Sequence, residues 1–508
     1  MTKKIDGKQG LTRAGQADHA GPVGQSGQAG QTEPQGKDLA PGFGNTGAGL
    51  RAPWNAFATP ALGKMVRALA RLTKHGGSAF PGRVVERIDP GFLARTLGKL
   101  PYGVVLVSGT NGKTTTTRMV ASMLTSLGLK VFTNPTGSNF TRGVVSSLIR
   151  EIGLDGRLDA DIAVLELDEA YAVHFVRQVN PRYSLLLNVM RDQLDRFGEI
   201  DNTARLLGKA AKATTGTLVL NREDRRIARL ADLAQAGAEV RYFGLADDLR
   251  SFFPSDDDMH AESSGAGLEG AAASGTDDSM KKVDQEFADA LPADVVLSAV
   301  GDHQASFLID GRSSTTSVKL EGVYNLYNAA AALALVRAVM QGSGRPAEDF
   351  SDQRLMDALS TVTPAFGRGE AIDVNGVPVE LLLVKNPMGF RLSLASFPPV
   401  GHQTMIAICD EYADGRDMSW LWDVDFSSLR PTGVAMVSGT RAWDMALRLD
   451  YEEVPVAKTD TDLETAVEEF VKADPGTPKR IYCTYTAMLR VRSKLSHLTQ
   501  VADAGLGH

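Results

Sequence analysis

V-L-V-S-G-T-N-G-K-T-T-T-T, residues 105–117, is the stretch that decides the fold of this chain. The apolar run 104–107 reads as a buried strand and breaks at Gly109 and Gly112. A helical pattern follows through Met119, Val120, Met123, Leu124 and Leu127 and ends near Gly128. Strand, glycine turn and helix aim free backbone N–H groups and the positive helix end at one point, which suits a phosphate. Lys113 would reach the β- and γ-phosphates of a nucleotide, and Thr114 would offer its hydroxyl to Mg. The expected cradle is Gly109, Thr110, Asn111, Gly112, Lys113, Thr114 and Thr115. The general pattern G-x-x-x-x-G-K-[ST] asks for glycine where this chain has Val107, so the loop is a shortened variant. A plain glycine turn opening a helix is the alternative, but lysine followed by four threonines is costly decoration for a bend.

Downstream the same arrangement recurs. Apolar runs at 130–133, 162–167, 184–189 and 217–220 read as strands, each followed by a polar cluster. The clusters are N-P-T-G-S-N-F-T-R-G (134–143), E-L-D-E-A (166–170), N-V-M-R-D-Q-L-D-R-F-G-E (188–199) and N-R-E-D (221–224). Strands alternating with helical stretches predict an α/β fold with a doubly wound, mostly parallel sheet, which binds ligands at its carboxyl ends. Glu166 is the expected Mg ligand with Thr114, because a strand-end carboxylate supplies the hard oxygen that Mg prefers. Asp168 and Glu169 read either as site acids or as surface charge. Asn188, Asp192 and Asp195 are placed to shape the nucleotide and metal pocket, with helix capping the alternative for Asp192. Asn221 and Asp224 would hydrogen-bond ribose or adenine, or form an Asx turn.

Residues 251–289 turn acidic, Ser/Gly/Ala-rich and aperiodic, and read as a flexible insertion. Strand signals at 295–299, 305–309 and 316–320 suggest an antiparallel element. G-V-Y-N-L-Y-N then opens a helix at Gly322, with Asn325 and Asn328 on one face, expected to bind something polar near the nucleotide. A second α/β domain starts near 343 and carries F-G-R-G-E (366–370), where Arg368 would fork onto a phosphate. It continues with K-N-P-M-G-F after a strand at 379–384, and with strands at 405–408 and 433–437. D-E-Y-A-D-G-R-D-M-S-W-L-W-D follows the first of these and S-G-T-R the second. Asp414, Arg416 and Asp417 fall in one tight loop, as functional groups or as mutual salt bridges. The expected domains are a disordered tail 1–55, a central domain 56–342, a C-terminal domain 343–498 and a tail 499–508. Residues 56–72 read as a basic amphipathic helix, expected to pack on the core in preference to touching a membrane surface.

With a net charge of −7 and no basic patch, nucleic acid is not an expected partner. No uninterrupted apolar run approaches the ~20 residues of a membrane span, and Lys3 and Lys4 precede no apolar signal core. Cys409 and Cys483 are too few for a disulfide framework or a cysteine zinc site, which fits a reducing cytoplasm.

The full set of motifs, in order from about residue 56 to 495, resembles the MurT family, the Mur-ligase-like subunits of lipid II isoglutaminyl synthase. K-N-P-M-G-F and D-G-R-D-M-S-W-L-W-D are much more specific than the phosphate loop, which all Mur ligases share. It implies a Mur-ligase-type central ATP-binding domain and a smaller Mur ligase C-terminal domain, without the domain that grips a UDP-linked precursor. The implied reaction uses ATP and Mg to amidate the α-carboxyl of D-glutamate in the lipid II stem peptide, through an acyl phosphate, giving D-isoglutamine. Ammonia would come from a GatD-type glutaminase, with lipid II met at the inner membrane face. Lys113, Glu166 and Arg368 would serve ATP and the moving charge, while Asp417, ahead of Asp414, would complete the partner's Cys–His pair. Three departures stand out. The cysteines of the family's zinc ribbon are missing from 251–289, so no zinc is expected. N-R-E-D replaces N-A-D-D, which keeps Asp224 and leaves Glu223 open. No lysine lies between Lys130 and Lys209 to be carbamylated, which points away from the runner-up, an ATP-dependent amino-acid ligase of the Mur or folylpolyglutamate type.

Overall fold

The computed structural model describes residues 56–72, 80–134, 139–190, 200–250, 291–301, 304–320, 323–363, 368–411 and 414–499. The chain divides into two units, Met1–Thr46 and Gly47–His508, and every described residue belongs to the second. The expectations for the tail at 1–55 and the insertion at 251–289 lie outside the described residues.

Nine strands form the first sheet among the described residues: β1 (Val104–Ser108), β2 (Val131–Thr133), β3 (Ile162–Glu166), β4 (Tyr183–Leu186), β5 (Thr217–Asn221), β6 (Glu239–Leu245), β7 (Val295–Gly301), β8 (Gln304–Ile309) and β9 (Arg312–Ser317). Their order is β2-β3-β1-β4-β5-β6-β7-β8-β9, parallel as far as β7 and antiparallel beyond it. Every residue of β1 is buried, as an interior parallel strand covered on both faces requires. Alternation divides its side chains between two cores. Val105 and Val107 pack with Met119 and Met123 of the helix Lys113–Ser126 and with the helix Val323–Gly342. Val104 and Leu106 pack with Val144, Leu148 and Phe175 on the opposite face.

The helix Val323–Gly342 is long and apolar enough to cross a membrane, yet 89% of that window is buried inside the fold. Its Ala329–Ala332 run is wholly buried and lets the helix approach the sheet closely, so it is a core helix. The expected strand at 316–320 begins earlier, at Arg312. Asp310 and Gly311, with φ of 45° and 76°, form the tight turn that fixes its register against β8.

The second sheet contains β10 (Arg368–Val374), β11 (Val377–Leu383), β12 (Gln403–Ala407), β13 (Met436–Ser438), β14 (Thr459–Asp460) and β15 (Lys479–Cys483), in the order β10-β11-β15-β12-β13-β14. β10 and β11 are an antiparallel hairpin closed by Asn375 and Gly376 (φ 56° and 85°); the other pairings are parallel. The helix Asp352–Ser360, beyond the expected domain boundary, packs on β9 and on the helix Lys113–Ser126, so by packing it belongs with the first sheet.

The helix Thr59–Leu72 packs on the core through small residues. Its inner face is Thr59, Pro60 and Gly63, and a Cβ on Gly63 would stand 3.1 Å from Ile149. Small residues bring this helix close to the core, while Met65 and Leu69 point outward, more than half exposed.

Candidate active site

The loop between β1 and its helix is held from below by one asparagine. Thr110 N donates to Asn188 O at 3.0 Å. Asn111 N donates to Asn188 Oδ1 at 2.8 Å, and Asn188 Nδ2 returns a bond to Asn111 O at 3.1 Å. Gly109 and Gly112 have φ of 137° and 85°, conformations that side-chain-bearing residues resist. A Cβ on Gly109 would meet Asn188 N at 3.0 Å; one on Gly112 would meet Asn328 Oδ1 at 2.5 Å. The glycines permit both the turn and the close approach of these asparagines. No side chain caps the helix that follows, so its first N–H groups keep their capacity to receive an anion.

Lys113 folds back over this loop. Its Nζ donates to Gly109 O at 2.6 Å and Thr110 O at 3.3 Å, and lies 3.2 Å from Asp168 and 3.7 Å from Glu169. The acids that read ambiguously in sequence therefore flank the loop lysine. Thr114 Oγ1 donates to Glu166 Oε1 at 2.9 Å, bringing together the two predicted Mg ligands. Glu166 is fixed by a residue that sequence reasoning quoted only within a motif. Asn134 donates Nδ2 to Glu166 O and accepts from Glu166 N, both at 2.9 Å. A hydroxyl and a carboxylate oxygen converging beside a glycine loop are a donor set suited to Mg, which binds few protein oxygens and keeps phosphate oxygens and water for the rest.

Asn221 and Asp224 take the plainer of their two readings. Asn221 Nδ2 donates to Leu187 O at 2.8 Å, and its Oδ1 accepts from Glu223 N at 2.9 Å and from the hydroxyl of Tyr327. Asp224 caps the short helix Arg225–Ala228 through Ile227 N at 3.1 Å and accepts Val189 N at 2.7 Å. Both tie the end of β5 to the segment after β4, in place of presenting their polar atoms to a ribose. Burial pushes the Asp224 carboxyl up to about 6, against the hydrogen bonds it accepts. Asp192 and Asp195 lie outside the described residues.

Asn325 and Asn328 are both buried in the first turns of the helix Val323–Gly342. Asn328 sits against Gly112 at 3% exposure, and its Nδ2 has no hydrogen-bond partner. A buried amide donor without an acceptor, at the mouth of a turn that suits phosphate, fits a polyphosphate. Thr115 is buried in the first turn of the loop helix.

The second sheet closes the site with residues whose roles the sequence left unassigned. After β11, Asn386 Nδ2 donates to Asn111 Oδ1 at 3.1 Å, and Lys385 Nζ reaches Thr110 O at 3.3 Å. Asn386 also caps the helix Pro387–Ser396 through Gly389 N at 2.7 Å. A small cleft opens between the sheets, lined by Asn111, Asn325, Lys385, Leu392 and Phe397 among others. Arg368 is the first residue of β10, in register with Leu382, so its backbone lies at the end of the hairpin from which Lys385 and Asn386 reach the loop.

Asp414 and Asp417 part company. Asp414 is buried, and its Oδ1 accepts Thr486 N at 2.7 Å at the start of the helix Tyr485–Ser496; burial lifts its carboxyl to about 6. Asp417 is exposed, accepts Ser419 N at 2.9 Å, and is held by those bonds below the ordinary carboxylate range. Beyond it lies an exposed aromatic face. Trp443, Leu447 and Tyr451 recur every four residues on one side of the helix Ala442–Tyr451, and Trp422 meets Tyr451 edge-on at 5.2 Å. Arg448 lies beneath, 5.6 Å from the Trp422 ring, and donates to Val424 O at 2.7 Å.

Comparison with known proteins accounts for both sheets. Residues 107–336 match the Mur ligase middle domain, and residues 383–488 match the MurT ligase C-terminal domain. The chain therefore carries a Mur ligase middle domain followed by a MurT-type C-terminal domain. Among its relatives is the lipid II isoglutaminyl synthase (glutamine-hydrolyzing) subunit MurT of Streptococcus pneumoniae, 28% identical over 84% of this chain and 94% of that protein. The Staphylococcus aureus subunit of the same name is 27% identical over 78% of this chain and 87% of that one. The fold is shared with MurF from Acinetobacter baumannii, with a TM-score of 0.58 at 18% identity, covering 80% of this chain and 78% of that one. It is shared too with MurF ligase from Thermotoga maritima in complex with ADP, with a TM-score of 0.57 at 16% identity, covering 80% and 82%. By its domains and its MurT relatives this chain is a ligase. Its Mur-type phosphate loop and MurT-type C-terminal domain meet at the Asn111–Asn386 contact.

Proposed function

We propose that this chain is the ATP-using synthetase subunit of a lipid II isoglutaminyl synthase. In this reading it amidates the α-carboxyl of D-glutamate in the lipid II stem peptide. The observation that carries the reading is Asp417: an ionised, outward-facing carboxylate in the D-G-R-D loop of a MurT-type domain, serving no buried structural contact. An amino-acid ligase working alone has no use for it. A glutaminase whose Cys–His pair lacks a third member does.

A carboxylate oxygen is a poor leaving group. Transfer of the γ-phosphoryl of ATP to it gives an acyl phosphate and ADP. Ammonia then attacks the carbonyl carbon, inorganic phosphate leaves with the C–O bonding pair, and a proton is lost from nitrogen to give the amide. Thr114 and Glu166, whose oxygens meet, would hold Mg, which would neutralise charge on the phosphates. Lys113 is within reach of the same phosphates once they replace the Gly109 and Thr110 carbonyls as its partners, and Asp168 and Glu169 set its position. Asn328 and the N–H groups of residues 112–114 cradle the phosphates; Asn188, which takes the N–H groups of Thr110 and Asn111, and Asn386 hold the loop in shape for them. Arg368, the first residue of β10, is the candidate fork for the transferred phosphoryl group.

The partner is a GatD-type glutaminase. It docks over Asp417 and the adjoining face of Trp422, Trp443 and Tyr451, aromatic residues of the kind that anchor stable interfaces. The pair works in the cytoplasm on lipid II at the inner membrane face. The test is co-expression with such a glutaminase, followed by incubation with lipid II, ATP, Mg and glutamine and mass spectrometry of the stem peptide. Replacement of one hydroxyl by an amino group, lost in Asp417→Asn with glutamine and restored by free ammonia, is the expected result. Addition of a whole amino acid by this chain alone would replace the proposal with an amino-acid ligase.

A further inference from the structure

The helix Thr59–Leu72 and its neighbour Phe80–Ile88 form a layer outside the first sheet, seated on the helix Thr141–Glu151. Gly82 N donates to Ser146 Oγ at 2.9 Å, and Thr59 Oγ1 donates to Asp89 at 2.8 Å. These anchors and the buried Gly63 fix which side of the first helix faces the core. The opposite side carries Phe57, Met65 and Leu69, exposed to 80%, 54% and 54%, with Ala61 and Ala68 between them. Phe80 and Ile88 of the second helix are exposed as well. This inverts a surface helix, which ordinarily puts its large apolar side chains inward.

The charge around the stripe has one sign. The first helix contains no Asp or Glu and carries Lys64, half-buried with its Nζ 3.5 Å from Arg150 O; the second presents the exposed Arg83 and Arg87. Its single acid, Glu86, is 3.0 Å from Arg142. All this lies on a chain whose net charge is −7. Outward apolar side chains flanked by cations are the pattern of a helix that lies in a bilayer interface, where apolar burial and attraction to anionic headgroups act together.

We infer that the outer face of the helix Thr59–Leu72 docks on an anionic lipid surface, with Phe57, Met65 and Leu69 entering the headgroup–acyl boundary and Arg83 and Arg87, with Lys64 at the margin, meeting the headgroups. This deepens the function proposed above, whose substrate is lipid-linked, and rests on that reading only for its purpose. Vesicle binding is measured without ATP, lipid II or glutaminase, so failure of one is told from failure of the other. The full chain is floated with vesicles of phosphatidylglycerol and phosphatidylcholine, and with phosphatidylcholine alone. Binding to the anionic vesicles, weakened by salt, is expected, with a fall of roughly tenfold or more in Met65→Glu/Leu69→Glu. Arg83→Glu/Arg87→Glu should lose the preference for anionic vesicles. An unchanged thermal midpoint and unchanged ATP turnover show that each variant is folded. A wild-type chain that stays unbound, or a Met65→Glu/Leu69→Glu chain that floats as well as wild type, overturns the inference. So does a wild-type dimer that the double substitution splits, because the face would then be a self-interface.

Discussion

Replacing Asn188 by alanine tests whether the phosphate loop is preformed by its support or shaped by its ligand. The side chain makes two hydrogen bonds to one residue, accepting Asn111 N at 2.8 Å and donating to Asn111 O at 3.1 Å, and both residues are buried. Removing it strips one donor and one acceptor of their partners in a place with little access to water. At about 1–1.5 kcal/mol for each bond the cost is roughly 2–3 kcal/mol. If the cost falls on the nucleotide-ready loop, affinity for a non-hydrolysable ATP analogue drops about 30- to 150-fold, each ~1.4 kcal/mol being tenfold. Titration calorimetry with Mg reads this directly, and a thermal melt reports any part that falls on the fold as a whole. Asn188→Asp is the sharper companion. It keeps the acceptor for Asn111 N but places an oxygen against Asn111 O, so it should bind no better than the alanine variant although it leaves no cavity. Wild-type affinity together with a wild-type melting midpoint in Asn188→Ala would refute the claim that this asparagine holds the loop.

Thr114→Val and Glu166→Gln should each lower glutamine- and ammonia-driven turnover by roughly 10²–10³-fold, in steady-state assays, with Glu166→Gln partly relieved by raised Mg. Gly112→Ala should abolish nucleotide binding in a fluorescence titration, because a φ of 85° and an oxygen 2.5 Å from the new carbon oppose it together. Trp443→Glu should weaken association with the glutaminase by about 2 kcal/mol, near 30-fold by sedimentation, and leave ammonia-driven amidation intact. The Asp224 carboxyl should titrate near 6 by carbon NMR of the folded chain. The folded state binds that proton more tightly than the unfolded chain, whose group titrates near 3.8. Asp224 therefore opposes folding most fully above pH 6, and stability from this group rises as pH falls from about 6 toward 4. Asp224→Asn should remove that component from the pH dependence of the denaturation midpoint.

The parts of this molecule legible in the sequence are those whose chemistry is local. The glycine loop, Lys113 and the strand-end acids announce themselves within a few residues, and Thr114 does meet Glu166. What escaped depends on long-range pairing. β15 is the buried centre of the second sheet, but it begins with Lys479 and Arg480, which read as surface. Their charges are satisfied only in the fold, Lys479 by Gln403 and Ala473, Arg480 by Glu380. β6 starts with exposed charge and turns apolar only at its end. Asn221 and Asp224 looked like ligands because polar residues at strand ends often are. Only the neighbouring strand shows that Leu187 and Val189 already use them. Asn386 stands 275 positions from Asn111, a contact no local pattern carries. The helix Thr59–Leu72 has a clear apolar period, but which side faces the core was decided by glycine and proline, not by the larger residues.

The link between phosphate loop and second sheet runs through two carboxamides, Asn111 and Asn386, with the Lys385 ammonium on the Thr110 carbonyl beside them. The carboxamides carry no charge, so their bond is indifferent to salt and to pH. The Lys113 contacts with Asp168 and Glu169 on the other side of the loop are ionic. The joint between the lobes is thus a neutral pin set among charged contacts.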